Sequence, residues 1–544
     1  MAKTTAKKKA AAVGEVAARL LPKPGEVIVR MYRIGHGDCF LLAFEGDAPD
    51  KPVYVLIDCG YKPGSSKLVH FKEEQARNVV IGPNKIKDIT QNIRDATGGH
   101  IDVAVITHEH QDHVNGITAK NFAGISISET WFAWTENPED ELANALRVKF
   151  KDQLIGLMGA RNRLAAVDPD ATEKIDRLIE FELGGEDEQF NAVNAVHALG
   201  AAAAGLENSA NKQSMKLFKD LARKEGGIKY LRPHEKVIAV PRAKALRAFA
   251  LGPPRDEALL ESLDPKGREE FHGVGLASSG NYLAAAVAGG AAGGDSPFAK
   301  RYRLDTDKAF ADPQHGAFFI TNYGQDAPVG AGVQPSPSSS APEWRRIDKE
   351  WLYSAEQLAL DMNNATNNAS LVLAFELGKG GKVLLFAADA QRGNWLSWGR
   401  KNWRDGNDVI TTKDLLSRAV LYKVGHHCSH NATLNGKISD EWANLSWMAT
   451  GDAAGEFTAM ITAVRAWAET QKGWDHPLKA IKDELLMKAS GRVFQTDTAF
   501  AAMKPDDAVE ADWTTFEQRL TETKLYFDYR IRCEGCEWQP ARRP

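Results

Sequence analysis

The chain has 544 residues, 43% hydrophobic and 26% charged, with a formal net charge of −4, the make-up of an ordinary folded protein of roughly two to four domain-sized units. That balance excludes a global electrostatic pull toward nucleic acid or anionic membrane, so a polyanion would have to be held by a local basic patch. No stretch approaches the ~18 apolar residues of a spanning helix, Met1–Ala12 lacks the apolar core of a secretory signal, and five cysteines suit reduced thiols; a cytoplasmic protein with no membrane partner is expected.

Residues 1–24, Lys/Ala-rich and closing on Leu-Pro-Lys-Pro-Gly, read as a flexible basic tail. Strand-like alternation follows over Val27–Ile34, leading to Gly35-His36-Gly37-Asp38, then over Cys39–Phe44 and Val53–Ile57, which ends at Asp58-Cys59-Gly60. The next apolar run, Val103–Ile106, delivers Thr107-His108-Glu109-His110-Gln111-Asp112-His113. Histidine is scarce, 14 in the whole chain, so three with a carboxylate in six residues point to a metal site. A chain leaving a strand in extended form turns side chains i and i+2 the same way, so His108 and His110 can grip one ion. If the chain then turns helical, Asp112 and His113 reach a second. Ions paired at about 3.5–4 Å are the usual machinery for hydrolysing phosphate and acyl bonds.

Ser126–Trp134 reads as another strand, closing a first core segment, 25–137. Residues 138–235 carry charges at helical spacing around the Ala-rich Ala192–Leu206 and read as a helical insertion. A return to the core, 236–256, holds the strand Arg247–Leu251 and the turn Gly252-Pro253-Pro254. A second insertion, 257–365, contains Ala284–Gly294 and Val333–Pro342, expected to be loop-like or disordered. The second core segment, 366–500, opens with Ser370–Glu376 and Val383–Ala387, a hairpin about Gly378–Gly381 that delivers Asp389. Ala419–Val424 leads into His426-His427-Cys428-Ser429-His430. Helices are expected near Thr458–Gln471 and Leu478–Ala489, with a strand near Arg492–Gln495. The extension 501–544 carries a further strand near Leu525–Ile531. Strands with polar clusters at their carboxyl ends indicate a layered α/β domain with its site on one rim.

The order of Asp58, then His108-x-His110-x-Asp112-His113, then Asp389, then the His426/His427 pair resembles the metallo-β-lactamase superfamily. It is most similar to the metal-hydrolase domain of ComEC-type competence proteins. Gly35-His36-Gly37-Asp38, Leu56–Gly60, Leu251–Pro254, Asn367–Leu373, Lys423–Ser429, His476-Pro477 and Gln495-Thr496-Asp497 resemble that group's motifs in order. The resemblance covers roughly residues 27–135, 236–256 and 366–500. It implies an αββα sandwich interrupted by two largely helical or irregular insertions. It also implies two divalent ions, zinc or manganese: His108 and His110 on the first, Asp112 and His113 on the second, Asp389 bridging, and His426 or His427 closing the second site. His426 is preferred as the nearer to the strand end. Asp58 would be an outer carboxylate orienting the His loop. Thr366 stands where many members carry a further histidine. The first ion is then held weakly, leaving one tightly bound, or it takes Asn367, Asn368, His272 or His315 instead. Ala388 and Cys428 replace glycines of the pattern without removing a ligand.

The implied activity is phosphodiester hydrolysis by metal-activated water, with Asp112 and Asp389 catalytic and a nucleic acid or nucleotide as substrate. Hydrolysis of a small ester, lactone or thioester on the same site is the first alternative. The second is a non-catalytic interaction protein with a degenerate site, gripping a protein partner through its insertions. Several weaker features favour plain packing or solvation. Trp395, Trp398 and Trp403 read as a packed helix face rather than base-stacking platforms, and Arg392 with Arg400–Arg404 as a solvated face rather than a phosphate contact. Cys533 and Cys536 read as thiols rather than half a zinc site, and His476 as a capping residue.

Overall fold

The computed structural model describes residues 19–48, 50–69, 84–165, 169–184, 209–223, 227–233, 236–243, 245–271, 306–323, 350–471 and 474–533. Two mixed sheets form the centre of a mixed α/β structure. The first contains β1 (Glu26–Tyr32), β2 (Phe40–Ala48), β3 (Lys51–Ile57), β4 (His100–Val105), β5 (Ser126–Ala133) and β6 (Gly227–Leu231). The second contains β7 (Ile238–Ala239), β8 (Leu246–Gly252), β9 (Val372–Leu377), β10 (Lys382–Phe386), β13 (Ala419–Lys423), β14 (Thr458–Ile461) and β15 (Val493–Gln495); β11 (Asn402–Asp405) and β12 (Asp408–Thr411) form a separate hairpin. The late strands β16 (Leu520–Glu522) and β17 (Tyr526–Arg532) return to the first sheet, whose order is β16-β17-β1-β2-β3-β4-β5-β6. The second runs β15-β14-β13-β10-β9-β8-β7.

Period-two alternation explains the layering. In β1, β2 and β3 the residues Val27, Val29, Met31, Phe40, Leu42, Phe44, Val53, Val55 and Ile57 face the second sheet and share a core with Phe375, Leu384, Phe386 and Phe494. Phe40 meets Phe386 edge-on at 5.5 Å between ring centres. The alternate residues, among them Leu41, Tyr54 and Leu56, pack outward against α1 (Ile86–Thr97). Beyond α1 come the one-turn α2 (Gln111–Val114), the insertion helices α3 (Glu141–Leu164) and α4 (Pro169–Leu183), and α5 (Ala210–Arg223). Met215 and Phe218 of α5 join the same outer layer. On the far side, α6 (Glu350–Asn368) leads into β9, while α7 (Arg392–Trp398) and α8 (Lys479–Lys488) supply Trp395, Trp398, Ile481 and Leu485 to the outer face of the second sheet. Both sheets are therefore covered on both faces.

Several expectations need correction. Thr458–Ile461 is a strand and not the start of a helix: a four-residue apolar run fits either element, and its parallel pairing between β13 and β15 decides the matter. Only Arg465–Ala468 in that stretch is helical. The insertion over 138–235 ends in β6, which pairs with β5 in parallel. Residues 19–24 do not all behave as tail, since Leu20 is buried and its carbonyl accepts from the Tyr54 hydroxyl at 3.0 Å. The extension after 500 completes the first sheet, and Asp528 makes a buried two-pronged ion pair with Arg30 at 2.7 and 2.8 Å. Cys39, Cys59 and Cys428 are thiols, but Cys533 is disulfide-bonded, which overturns the expectation of reduced thiols at that position. Cys536, Ala192–Leu206, Ala284–Gly294, Val333–Pro342 and His272 lie outside the described residues. Among the described residues no helix is long and apolar enough to cross a membrane.

Candidate metal centre

β3, β4 and β5 run parallel in one sheet, and β10, β13, β14 and β15 in the other, so their carboxyl ends open on one rim. Asp58 follows β3, His108–His113 follow β4, Asp389 follows β10 and the His426/His427 pair follows β13. Asp38 joins them from the loop between β1 and β2. Backbones come very close here. A methyl on Gly60 would lie 2.5 Å from the His113 backbone, and one on Gly37 2.6 Å from the Asp112 carbonyl.

Asp112, His113, Asp389 and His427 converge: one ligand atom from each lies within 4.8 Å of the others, and all four residues are buried. His427 Nε2 is 3.0 Å from Asp112 Oδ2 and 3.4 Å from Asp389 Oδ2. His113 Nε2 is 3.2 Å from the same Asp389 oxygen, and His108 Nε2 is 3.9 Å from it. Asp389 thus stands between the two halves of the His cluster, the place of a bridging carboxylate. His108 Nε2 faces His110 Nδ1 at 3.1 Å.

The outer nitrogens are all engaged, which turns the inner ones toward the centre. His113 Nδ1 donates to Asp58 Oδ2 at 2.8 Å, and the same carboxylate accepts from the Thr107 amide at 2.9 Å and hydroxyl at 2.6 Å. His427 Nδ1 donates to the Thr462 carbonyl at 3.1 Å. His108 Nδ1 lies 3.2 Å from the Ser370 hydroxyl, which also accepts from the Asp389 amide. Two lysines sit among the carboxylates. Lys423 pairs with Asp38 and lies 3.6 Å from Asp389 Oδ1, and Lys62 lies 3.9 Å from Asp112 Oδ2.

These neighbours set the charges. Burial alone would raise the carboxyls of Asp112 and Asp389, but the cations around them hold both well below the usual carboxylate range. Burial alone would lower His427, yet Asp389 and Asp112 push it up to about 9. His113 goes up likewise through Asp389, Asp38 and Asp58. Burial brings Lys62 down to about 8 against the pull of Asp112 and Asp389. Nε2 of His113 and His427 and Oδ1 of Asp112 and Asp389 are sealed from solvent and make no hydrogen bond. Unbonded buried polar atoms are costly, and four buried residues that each bring a ligand atom within 4.8 Å of the others suit a divalent cation. Imidazole and carboxylate donors suit zinc, manganese or iron.

The preference for His426 is not what the structure gives. His426 and His427 take successive left-handed conformations, φ 40° and 49°, and this tight turn carries His427 inward. His426 instead lies half-buried beside it, bonded to Asn431 Oδ1 at 2.8 Å and close to the Asn367 amide at 3.0 Å. Among the substitutes considered for the first ion, Asn368 is taken up by the carbonyls of Leu259 and Leu260, and His315 is an exposed partner of Asp312. Arg392 is engaged by Glu269, at 2.5 and 2.8 Å. Trp395 and Trp398 are fully buried at 4.2 Å between ring centres, as the packing reading expects. Sequence reasoning missed Lys62, Lys423 and Glu182. Lys423 lies inside a motif already singled out, whereas Glu182 carries no local signal. Comparison of the chain with protein-family models and with curated proteins gives no match.

Proposed function

We propose that the chain is a metal-dependent hydrolase with the αββα sandwich of the metallo-β-lactamase superfamily, of the kind its motifs share with ComEC-type domains, and that it cleaves phosphodiesters in nucleic acid or a nucleotide. The observation that carries this reading is the convergence of His108, His110, Asp112, His113, Asp389 and His427 on one rim, with their outer atoms tied back by hydrogen bonds. Two bound ions would supply an activated water and neutralise the phosphate oxygens.

The chain's own residues do the rest. Asp112, ionised at neutral pH, orients the attacking water and accepts its proton. Asp389 holds the two halves of the His cluster together, with the Lys423 charge 3.6 Å from its other oxygen. Lys62 brings a positive charge to the same carboxylates and attracts an anionic phosphate. With its ammonium brought down to about 8 it is matched to protonating a leaving alkoxide. That cation favours phosphodiester over acyl substrates.

The test is hydrolysis of bis-p-nitrophenyl phosphate and of labelled single- and double-stranded DNA and RNA with zinc or manganese, alongside p-nitrophenyl acetate and a model thioester. Metal-dependent phosphodiester cleavage should fall at least ~100-fold in Asp112→Ala and Asp389→Ala. Turnover of the acyl substrates alone would move the assignment to ester or thioester hydrolysis. No turnover, with less than one ion bound per chain, would end the enzyme reading.

A further inference from the structure

The helical insertion reaches into the centre through a single carboxylate. Glu182, near the end of α4, is buried, and its Oε1 lies 3.0 Å from Nε2 of His110, which is itself wholly enclosed. A carboxylate only accepts hydrogen bonds, so His110 carries its proton on Nε2 and leaves a lone pair on Nδ1. That nitrogen lies 3.1 Å from His108 Nε2. Two nitrogens sharing a tetrahedral zinc at ~2.0–2.1 Å stand about 3.3 Å apart, close to the separation already present.

We infer that Glu182 is the positioning residue of the first metal site: by fixing the tautomer and orientation of His110, the insertion makes the His108/His110 pair competent to hold an ion. This rests on the metallohydrolase reading. It also accounts for Thr366, where a further ligand was expected: its hydroxyl lies 3.5 Å from Glu182 Oε2, and Asn363 Nδ2 lies 3.4 Å from Oε1. The site is strengthened through the orientation of a ligand it has, in place of one it lacks.

Glu182 is held as a built feature. Asn211 Nδ2 donates to the carbonyls of Phe181 and Glu182 at 3.0 and 3.1 Å. Gly184 takes the left-handed turn that ends α4, where a methyl would come within 2.0 Å of Asn211 Oδ1. The Phe181 ring packs on His110 at 4.2 Å between ring centres, with the Lys62 ammonium over its face. From α5, Lys212 reaches Glu109 of the His loop at 3.1 Å. A helix serving only as an appendage would have no reason to bury a carboxylate against a histidine, because burying such a polar group is unfavourable unless it has a partner.

The experiment uses the full chain. Zinc and cobalt(II) are titrated against a competing chelator for the native protein, Glu182→Gln, Glu182→Ala and Asn211→Ala, with melting curves taken in parallel. Nitrogen-15 correlation spectra of the metal-free native protein report which His110 nitrogen carries the proton. The expected result is two ions per native chain. Glu182→Ala should bind one of them 10–100-fold more weakly with the other unchanged, Glu182→Gln less so because its amide oxygen still accepts, and Asn211→Ala should move in the same direction. His110 should be protonated on Nε2. Protonation on Nδ1, or unchanged affinity in Glu182→Ala despite a lowered melting point, would overturn the inference while leaving the hydrolase reading in place. So would loss of a coordinated oxygen from the cobalt spectrum of Glu182→Ala, which would make Glu182 a direct ligand. A native chain that takes up no ion would overturn both.

Discussion

Metal uptake at this centre should release protons, and the structure sets how many. His427 Nε2 is held between Asp112 and Asp389 at 3.0 and 3.4 Å, and its imidazole is raised to about 9. An ion needs that nitrogen's lone pair, so the proton must leave first. At pH 7 the group lies two units below its midpoint, which costs about 3 kcal/mol, or roughly 100-fold in affinity relative to pH above 9. His113, also raised by its carboxylates, contributes a second proton, while Asp112 and Asp389 are already ionised and contribute none. The logarithm of the zinc affinity should therefore climb by about 1 to 2 per pH unit between roughly pH 6.5 and 8.5. Calorimetric titration at pH 7 in buffers of differing ionisation enthalpy counts the protons directly. About one to two released per chain is expected, and a buffer-independent enthalpy would refute the reasoning, because it would mean that His427 and His113 are neutral before the ion arrives.

The metal-free protein should show the opposite trend. His427 is raised above its unfolded value of about 6.5, so its ion pairs stabilise the fold fully below that pH and are lost as pH climbs through about 9. Chelator-treated protein should be less stable at pH 9.5 than at pH 6.5 by about 3 kcal/mol from this group alone, read from urea unfolding at the two pH values. Asp528→Ala leaves Arg30 buried with Asn92 as its remaining side-chain acceptor, and should cost about 3–5 kcal/mol in the same assay. A cost below about 1 kcal/mol would mean that β17 is not firmly docked.

The strands flanking the site were legible because each is a short apolar alternation broken by a polar cluster, and the clusters themselves mark the carboxyl ends. The contact of Asp58 with the His loop follows from its place at the end of β3. Other features resisted for stated reasons. The choice between His426 and His427 turns on a run of left-handed residues, His426 to Cys428, which the apolar patterning of the sequence does not mark. Thr458–Ile461 is too short for periodicity to separate strand from helix. Glu182 lies 72 residues from His110 in a segment whose pattern announces only a helix, so its role exists solely in the packing.

The pairing of β1 with β17 bears on how the protein is made. Tyr32 lies opposite Tyr526 and Met31 opposite Phe527, so β1 waits for a neighbour translated roughly 500 residues later. At ~5–20 residues per second its bare edge is on show to other nascent chains for about 25–100 s. The candidate metal-binding side chains, complete at His427, leave the ribosome well before that edge closes. Arg30, in the middle of β1, places a charge on the waiting edge, a device that discourages strand addition by the wrong chain until Asp528 arrives to take it.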